Sequence, residues 1–380
     1  MTTGESRALI LAAQEALENA AGAGPAASSA WAPGRCTLVG EHVDYAGGQV
    51  LCVAIQLGIA VALRRSTTER FRVASGENVV TRIEAGPRGD VGDRVLAPVV
   101  ALRERGIAVP VVEVGIAATL PAGAGLASSA ALMVAVTAAI LRLLGLSMTA
   151  RDLAAVALSA ERDVLGIPCG PLDQRAVVDA PAQGALLLDC ATGAEVSVGW
   201  LWPEAVLVAC DTGTHHDVGG AEYRRRREET ESGLAALSVE GCQDLTEAAI
   251  VAGHLDPAIE RRLRHVMAES RRAVEGADAM RRADLVALGR LMSASHRSLA
   301  DLHEVSTPIL DTVVRAVEAA PGCLGARMVG AGFGGTVVAL VTLENAEACR
   351  SAMADACGGE TFLLRPSPGV AVLSPDVVQG

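Results

Sequence analysis

One stretch of the sequence restricts the fold more than any other. From Val114 to Leu141 the chain contains no charged residue, so this stretch must be buried in a protein core or in a membrane. A membrane-spanning helix needs about 20 consecutive apolar residues, but Pro121, Gly123 and Gly125 interrupt the run. We therefore expect a buried strand and a glycine loop, followed by a buried helix that ends near Gly145.

The composition excludes several classes of function. The chain has 380 residues, of which 51% are hydrophobic, and a formal net charge of −12. So much apolar material predicts a folded protein of about two domains. The negative charge disfavours nucleic acid or an anionic membrane as a partner. All 32 basic residues are arginine, and without lysine the chain can form neither a Schiff base nor a Walker A phosphate loop.

The nine cysteines lie at positions 36, 52, 169, 190, 210, 242, 323, 349 and 357. Their odd number and the lack of a C-x-x-C pair argue against a disulfide framework and against a zinc ribbon. Residues 1–20 carry several charges and lack the apolar core of a signal peptide. We therefore expect a reducing, cytoplasmic environment.

Strand-like and helix-like patterns alternate along the chain. Apolar runs predict strands at 36–39, 50–63, 70–74, 109–117, 185–189, 206–210, 326–329 and 336–342, with helices over 149–165 and within 221–300. This order predicts an α+β protein in two domains, residues 1–195 and 196–380. Acids flank the arginine run 224–227 at i,i+4 spacing, as in the pair Glu222/Arg226. We therefore expect this run to form a solvated helix face rather than an anion site.

The first glycine-rich segment, Ala32–Gly48, gathers polar residues between two apolar strands. Five of its side chains can offer hydrogen bonds to a small polar ligand: Arg35, Glu41, His42, Asp44 and Tyr45. A solvated hairpin with a satisfied histidine would have the same composition, and charge density alone does not separate the two interpretations.

The second glycine-rich segment, Leu120–Ala131, leads directly into the apolar helix. Its glycines let backbone N–H groups approach a ligand, and the positive end of a helix dipole favours phosphate. Ser128 and Ser129 begin the helix, where a serine can act as an ordinary N-cap or reach a metal ion. The Gly-x-Gly pattern before them favours a phosphate site.

The third glycine-rich segment, Gly330–Gly335, fits the G-x-G-x-x-G-x-V pattern of protein kinases, but the chain has no H-R-D or D-F-G sequence. A strand-like run follows it, which also excludes a dinucleotide-binding loop. We expect a glycine turn that closely approaches another group. By themselves, Asp173 in a Pro/Gly loop and Glu161 on the preceding helix are typical of a turn residue and a surface acid.

Together these segments supply what phosphoryl transfer requires. They offer phosphate-binding backbone, hydroxyls and acids for Mg²⁺, and an arginine that can neutralise charge on the transferred group. A kinase without lysine must rely on arginine, backbone N–H groups and the helix dipole. The composition therefore favours a kinase of neither the P-loop nor the protein-kinase type.

The three glycine-rich segments, in this order, resemble the three motifs of the GHMP small-molecule kinases. Within that superfamily the chain resembles the galactokinases. GRCTLVGEHVDYAGG (34–48) is similar to their signature, LPAGAGLASSAAL (120–132) to the second motif, PCGPLDQ (168–174) to the catalytic Asp loop and ARMVGAGFGG (326–335) to the third motif. AEYRRR, SHRSL and ETFLLRPSP also match, so the resemblance covers nearly the whole chain.

The resemblance implies two α+β domains with the active site in the cleft between them. It implies transfer of the γ-phosphate of ATP to the anomeric hydroxyl of galactose, with Asp173 as base or orienting group and Arg35 as transition-state stabiliser. The sugar-binding residues would be Glu41, His42, Val43, Asp44, Gly170 and Tyr223. The ATP phosphates would be wrapped by Ala122, Gly123, Ala124, Gly125, Leu126, Ala127, Ser128 and Ser129. Ser129 and Glu161 would bind Mg²⁺.

Seven residues depart from the usual galactokinase pattern: Thr37, Val43, Ala46, Cys52, Gln56, Ala127 and Met133. A related sugar, such as an amino sugar or arabinose, is therefore an alternative acceptor. A sensor that binds galactose and ATP without turnover is a second alternative. Apart from the small-molecule sugar, we expect no nucleic-acid or membrane partner, and we expect a monomer or a weak homo-oligomer.

Overall fold

The computed structural model describes residues 3–76, 78–82, 89–200, 202–214 and 220–373. Over these residues the chain forms two β-sheets covered by helices, which confirms the predicted α+β class. The α-helices of this part are α1 (Thr3–Ala21), α2 (Val91–Glu104), α3 (Ser128–Leu144), α4 (Ala150–Ser159), α5 (Leu172–Asp179), α6 (Ala221–Ala236), α7 (Glu247–Ala252), α8 (Pro257–Arg281), α9 (Leu285–Ser298), α10 (Pro308–Glu318) and α11 (Ala346–Cys357). Among the described residues, no helix is both long and apolar enough to cross a membrane.

The strands form a larger and a smaller sheet. They are β1 (Ser28–Val39), β2 (Gln49–Arg65), β3 (Phe71–Ser75), β4 (Asn78–Arg82), β5 (Val112–Ala118), β6 (Gly184–Asp189), β7 (Glu195–Gly199), β8 (Ala205–Asp211), β9 (Cys323–Val329), β10 (Thr336–Thr342), β11 (Glu360–Leu364) and β12 (Ala371–Leu373). The larger sheet has the order β12-β1-β2-β5-β3-β4, with β6 paired to β2 and β7 to β6, and the smaller sheet has the order β11-β8-β10-β9. Strands β3 and β5 are parallel, and the other pairs are antiparallel.

Strand β2 is the centre of the larger sheet. It pairs with β1, while β6 pairs with its first residues and β5 with its last. Helices α1 and α3 cover opposite faces, since Trp31 and Ala62 belong to the apolar cluster around α1, whereas Ala30 and Val61 belong to that around α3. A sheet covered on both faces favours continuous apolar strands. This burial explains the long apolar run predicted over 50–63.

Helix α3 is the buried helix predicted from the charge-free stretch. Gly145 ends it in the left-handed conformation, and its N–H bonds to the carbonyl groups of Arg142 and Leu141. The helix predicted over 149–165 is instead α4 followed by a π-helical turn, Ala160–Val164. A π-helical turn shifts the side-chain sequence around the helix axis and is frequent at functional sites.

Strand pairing crosses the position predicted as the domain boundary. Strand β7 begins at Glu195 and belongs to the larger sheet, and β12, from the C-terminal part of the chain, pairs with β1. The second half of the sequence thus contributes strands to the first sheet. The division into residues 1–195 and 196–380 stays a prediction.

The prediction that the arginine run 224–227 forms a solvated helix face is wrong for Arg226. This residue is 5% exposed, and its guanidinium donates to the carbonyl oxygens of His303 and Glu304 at 2.7 and 3.0 Å. Its ion-pair partner on the same helix is Glu229, at 3.7 Å, rather than Glu222. Because α6 packs against α8, one position of the arginine run faces the interior.

Helix α9 and strand β9 touch through their backbones at Gly289 and Gly325, where a Cβ at position 289 would overlap the carbonyl oxygen of Leu324. We expect Gly289→Ala to lower the free energy of unfolding by about 2–3 kcal/mol, because backbone must move. The matched control is Gly276→Ala in α8, whose methyl group would meet side-chain carbons at 3.0 Å. Those side chains can shift, and alanine adds about 1 kcal/mol of helix propensity. Urea unfolding measures both variants, and equal losses would contradict the backbone contact.

Candidate active site

A cleft of about 350 Å³ opens where the glycine-rich segments meet. The predicted site residues that line it are Arg35, Glu41, His42, Asp44, Ala122, Gly123, Gly125, Ala127, Ser128, Ser129, Glu161, Gly170, Asp173 and Tyr223. Residues that line it without having been predicted as site members are Arg94, Ile167, Cys169, Leu172, Gly330 and Ala331. Segments distant in sequence therefore form one cavity.

Three predicted site residues do not face this cleft. Val43 is fully buried, and Ala124 and Leu126 are 1% exposed. The backbone of this part joins two of the loops, since the Leu126 carbonyl accepts the Arg35 N–H at 3.1 Å. The assignment of these three residues to ligand binding stays a prediction, since backbone N–H groups of a loop can bind a ligand while the side chains are buried.

The second and third glycine-rich segments meet through their backbones. A Cβ on Gly125 would lie 2.7 Å from the carbonyl oxygen of Val329, and a Cβ on Gly330 would lie 2.7 Å from the Gly125 Cα. Both glycines have positive φ angles, +76° and +86°, which other residues rarely adopt. The close approach expected of the third segment is therefore made to the predicted phosphate loop.

The start of α3 is open toward the cleft. Its N-cap residue is Ala127, with a left-handed φ of 61°, and no side chain caps the first N–H groups. Ser128 and Ser129 thus do not act as N-caps, and free N–H groups at a helix start attract anions. The Ser129 hydroxyl oxygen is buried and makes no hydrogen bond of ordinary length, although it lies close enough to Glu161 to lower the pKa of that carboxyl.

Glu161 lies in the π-helical turn after α4 and faces the cleft rather than the surface. It is 7% exposed and accepts a 2.6 Å hydrogen bond from Gln174 Nε2. Burial raises the pKa of Glu161 above its ordinary value, and the nearby Ser129 hydroxyl opposes that increase. A buried carboxylate beside a hydroxyl forms a site that would favour a cation, and Mg²⁺ commonly takes one or two protein oxygens together with substrate phosphates.

Arg35 joins the two sides of the cleft. On one side it binds the Asp173 carboxylate, with Nη2 and Nε at 2.6 and 2.8 Å from Oδ1. On the other side its Nη1 donates to the carbonyl oxygen of Gly125 in the second glycine-rich segment at 2.7 Å. Arg35 itself is 5% exposed. Its contacts with Asp173 and Gly125 hold the guanidinium in place. Asp173, in the first turn of α5, keeps a third of its side chain exposed to the cleft.

Asp44 packs directly against Gly170 in the lining of the cleft. A Cβ on Gly170 would overlap Asp44 Oδ2, so only glycine leaves this carboxylate in place. Burial, followed by the charges of Asp173 and Glu41, raises the pKa of Asp44 to about 6. A carboxylate desolvated in this way gains from hydrogen-bond donors that a ligand supplies.

His42 has no free ring nitrogen for a ligand. Its Nε2 lies 3.0 Å from the Ala331 carbonyl oxygen, which can only accept, so Nε2 carries the hydrogen. Its Nδ1 then accepts from the Tyr45 hydroxyl at 3.1 Å, and that hydroxyl accepts in turn from His303 Nε2 at 3.1 Å. Burial lowers the pKa of His42 to about 3. The ring is therefore neutral and links the first loop to the third.

The structure adds supporting residues that sequence reasoning missed. Glu269 of α8 accepts the backbone N–H groups of Gly40 and Glu41 at 2.8 and 3.4 Å. His265 Nε2 lies 3.1 Å from the Glu41 carbonyl oxygen. Burial opposes ionisation of Glu269, but Arg272 and other cations hold its pKa at about 2. A carboxylate and a histidine four residues apart on one helix were the available signal, since they share a helix face.

Comparison with known proteins identifies the family. Residues 94–179 match the GHMP kinases N terminal domain, residues 277–359 match the GHMP kinases C terminal family, and residues 18–65 match the galactokinase galactose-binding signature. A galactokinase of Roseiflexus sp. (strain RS-1) is 36% identical over 358 residues, which cover 89% of this chain and 91% of that protein. The chain belongs to the galactokinase family. Another member, from Chloroflexus aurantiacus, is 36% identical over 344 residues, 87% of this chain and 88% of that protein.

Solved structures agree with membership of the galactokinase family. Lactococcus lactis galactokinase, crystallised in complex with galactose, has a TM-score of 0.90 and 27% identity over 95% of this chain and 98% of that chain. Methanococcus jannaschii mevalonate kinase, at 16% identity and a TM-score of 0.66, shares the fold. The predicted family, fold and kinase class are confirmed, with ATP as a substrate of a reaction on a sugar hydroxyl.

The raised pKa of Asp44 predicts a pH-dependent cost in stability. Asp44 titrates near pH 3.9 in the unfolded chain and at about 6 in the folded protein. The folded state therefore binds more protons in this window, and stability falls as pH rises through it, by up to about 2–3 kcal/mol. We expect Asp44→Asn to be more stable than the wild type at about pH 8.

Urea unfolding from about pH 5 to pH 8 measures this difference. Asp301→Asn, at an exposed position, is the control and should keep the wild-type pH profile. An Asp44→Asn variant that is less stable than the wild type at about pH 8 would show that the carboxylate is not destabilising.

Proposed function

We propose that this chain transfers the γ-phosphoryl group of ATP to the anomeric hydroxyl of galactose, giving galactose 1-phosphate and ADP. The observation that carries the proposal is the position of Arg35 between the Asp173 carboxylate and the backbone of the phosphate loop. A sugar hydroxyl beside Asp173 and a phosphate at the start of α3 would meet at this guanidinium. Phosphoryl transfer depends mainly on such positioning and on charge neutralisation.

The sugar side of the cleft offers acceptors and donors suited to hydroxyl groups. Glu41 and Asp44 supply carboxylates, and Tyr223 supplies a phenol at the first turn of α6. His42 supports this side by fixing the loops rather than through a ring nitrogen. The galactose-binding signature over 18–65 and the galactose complex of the L. lactis enzyme support galactose as the acceptor.

The phosphate side accounts for ATP and Mg²⁺. The uncapped start of α3 would bind phosphate oxygens through its N–H groups. The Ser129 hydroxyl and the Glu161 carboxylate would hold Mg²⁺, which would supply positive charge to offset that of the phosphates. Arg94, exposed on α2 and lining the same cleft, adds positive charge on this side.

Asp173 orients the anomeric hydroxyl and accepts its proton as the bond to phosphorus forms. Arg35 binds the Asp173 carboxylate through Nη2 and Nε and so fixes its direction, which makes orientation of the hydroxyl the main contribution of Asp173. The same guanidinium faces the negative charge that develops on the transferred group. No further general base is required by this scheme.

The departures from the usual family pattern do not favour another sugar. Of these residues, Ala127 lines the cleft, and it lies on the phosphate side. Thr37, Val43 and Cys52 are fully buried, so their effect on a sugar is indirect.

All nine cysteines are free thiols, which supports a reducing cytoplasm as the compartment. We propose that the protein is a monomer or a weak homo-oligomer.

The direct test is phosphoryl transfer from Mg-ATP to a panel of free sugars, with the position of the phosphate determined by phosphorus NMR. We expect galactose 1-phosphate from the wild type and a loss in kcat of about 10³-fold in Asp173→Asn, because positioning and proton acceptance are lost together. Calorimetry with galactose checks that this variant still binds sugar. Turnover with only another sugar would overturn the acceptor, and binding of ATP and galactose without turnover would favour a sensor.

The magnesium assignment predicts a shift in metal requirement. Removing a ligand from the metal should raise the free Mg²⁺ concentration for half-maximal activity about tenfold or more in Ser129→Ala and in Glu161→Gln. Ser128→Ala is the matched control, since it removes the neighbouring hydroxyl and should keep the wild-type Mg²⁺ requirement. A steady-state Mg²⁺ titration at saturating ATP measures this, and equal shifts in both serine variants would contradict the assignment.

A further inference from the structure

Arg35 lies near two carboxylates. Its Nη2 atom is 2.6 Å from Asp173 Oδ1 and 3.8 Å from Glu41 Oε1. Arg35 and Glu41 are almost fully buried, so water gives Glu41 little alternative stabilisation. Two carboxylates that compete for one guanidinium would leave the position of Arg35 poorly defined.

A second arginine resolves this competition. Arg327 of β9 is completely buried, and its Nη2 donates to Glu41 Oε2 at 2.8 Å. Its other nitrogens donate to the carbonyl oxygens of Met328 at 2.8 Å and Thr37 at 3.4 Å. These bonds fix the guanidinium plane, because the fork of an arginine allows few alternative geometries.

We propose that Arg327 is a positioning residue for phosphoryl transfer: by binding Glu41 it holds that carboxylate as a fixed acceptor for the sugar and leaves Arg35 paired with Asp173. The inference rests on the proposed function, because the two carboxylates are its sugar-side groups. Arg327 itself does not line the cleft. It acts through Glu41.

The surroundings of Glu41 define what removal of Arg327 would do. Charged and titratable groups face it from β1 (Arg35, Cys36), β2 (Cys52), the first glycine-rich segment (Asp44), β9 (Arg327), α8 (His265, Glu269) and α5 (Asp173). Burial raises the pKa of Glu41, and Arg327 is the first of the cations that oppose this increase. Without Arg327, Arg35 would remain as the nearby cation. Glu41 would then protonate at higher pH, and its ionised form, having lost its own partner, would draw Arg35 away from Asp173.

The test compares Arg327→Met with the wild type in steady-state kinetics over pH. We expect kcat/KM for galactose to fall about 100-fold, since one partner of a buried charge pair is lost. The acidic limb of its pH profile should move to higher pH by about one unit, while KM for ATP changes less than about threefold. Arg327→Lys should recover part of the activity and move the limb back toward its wild-type position.

A double-mutant cycle separates positioning from a general structural effect. In a Glu41→Gln background, Arg327→Met should change kcat/KM less than about threefold, because its partner no longer competes for Arg35. Arg262→Met is the matched control: Arg262 is 2% exposed and pairs with Glu229 and Glu304 away from the cleft. It should lower the melting temperature and leave the pH profile in place.

Additive losses in the double mutant, or an unmoved pH limb in Arg327→Met, would overturn the proposal. Should Arg327→Met fail to fold, the double-mutant cycle can be made with Arg327→Lys instead, by measuring its effect on kcat/KM in the wild-type and Glu41→Gln backgrounds. Calorimetric binding of galactose over pH gives a readout without turnover. A wild type that binds galactose but transfers no phosphate would therefore count against the proposed function, and a pH dependence of binding unaltered by the Arg327 variants would count against this inference.

Discussion

A contact between two glycine backbones determines where the groups of the cleft lie. Gly125, before α3, and Gly330, after β9, approach so closely that neither position can hold a side chain. The first loop is then hydrogen-bonded to both of these segments, through Arg35 to the Gly125 carbonyl and through His42 to the Ala331 carbonyl. Three loops from two sheets thereby become one rigid surface, and the chemistry of the site depends on that rigidity.

Burial dominates the electrostatics of this surface. The carboxylates of Glu41, Asp44 and Glu161 all have raised pKa values with burial as the largest cause, and the buried ring of His42 has a lowered one. Desolvated acids gain most from hydrogen-bond donors or cations that a ligand would bring. The site is therefore costly for the protein alone and complementary to its substrates.

Sequence patterns predicted much of the fold and most of the cleft lining. The charge-free stretch predicted α3 and its end at Gly145, because burial and capping are local properties. Arg327, Glu269 and His265 were not predicted as functional, since their partners are more than 200 residues away along the chain. Arg226 was expected in solvent, as charge spacing does not show which helix covers α6. The inward position of Glu161 depends on a π-helical turn that no sequence period indicates.

Strand β12 gives the larger sheet a particular order of assembly during synthesis. It pairs Ser29 with Leu373, and the Gln56 side chain also bonds the backbone of residues 363 and 365. While a ribosome makes the chain, β1 emerges early and leaves one edge unpaired until these last strands appear. N-terminal units usually fold first during translation, but here the sheet beneath the first loop is completed only after the smaller sheet has been made. An intermediate that contains β1 but not yet β12 therefore exposes an unpaired strand edge.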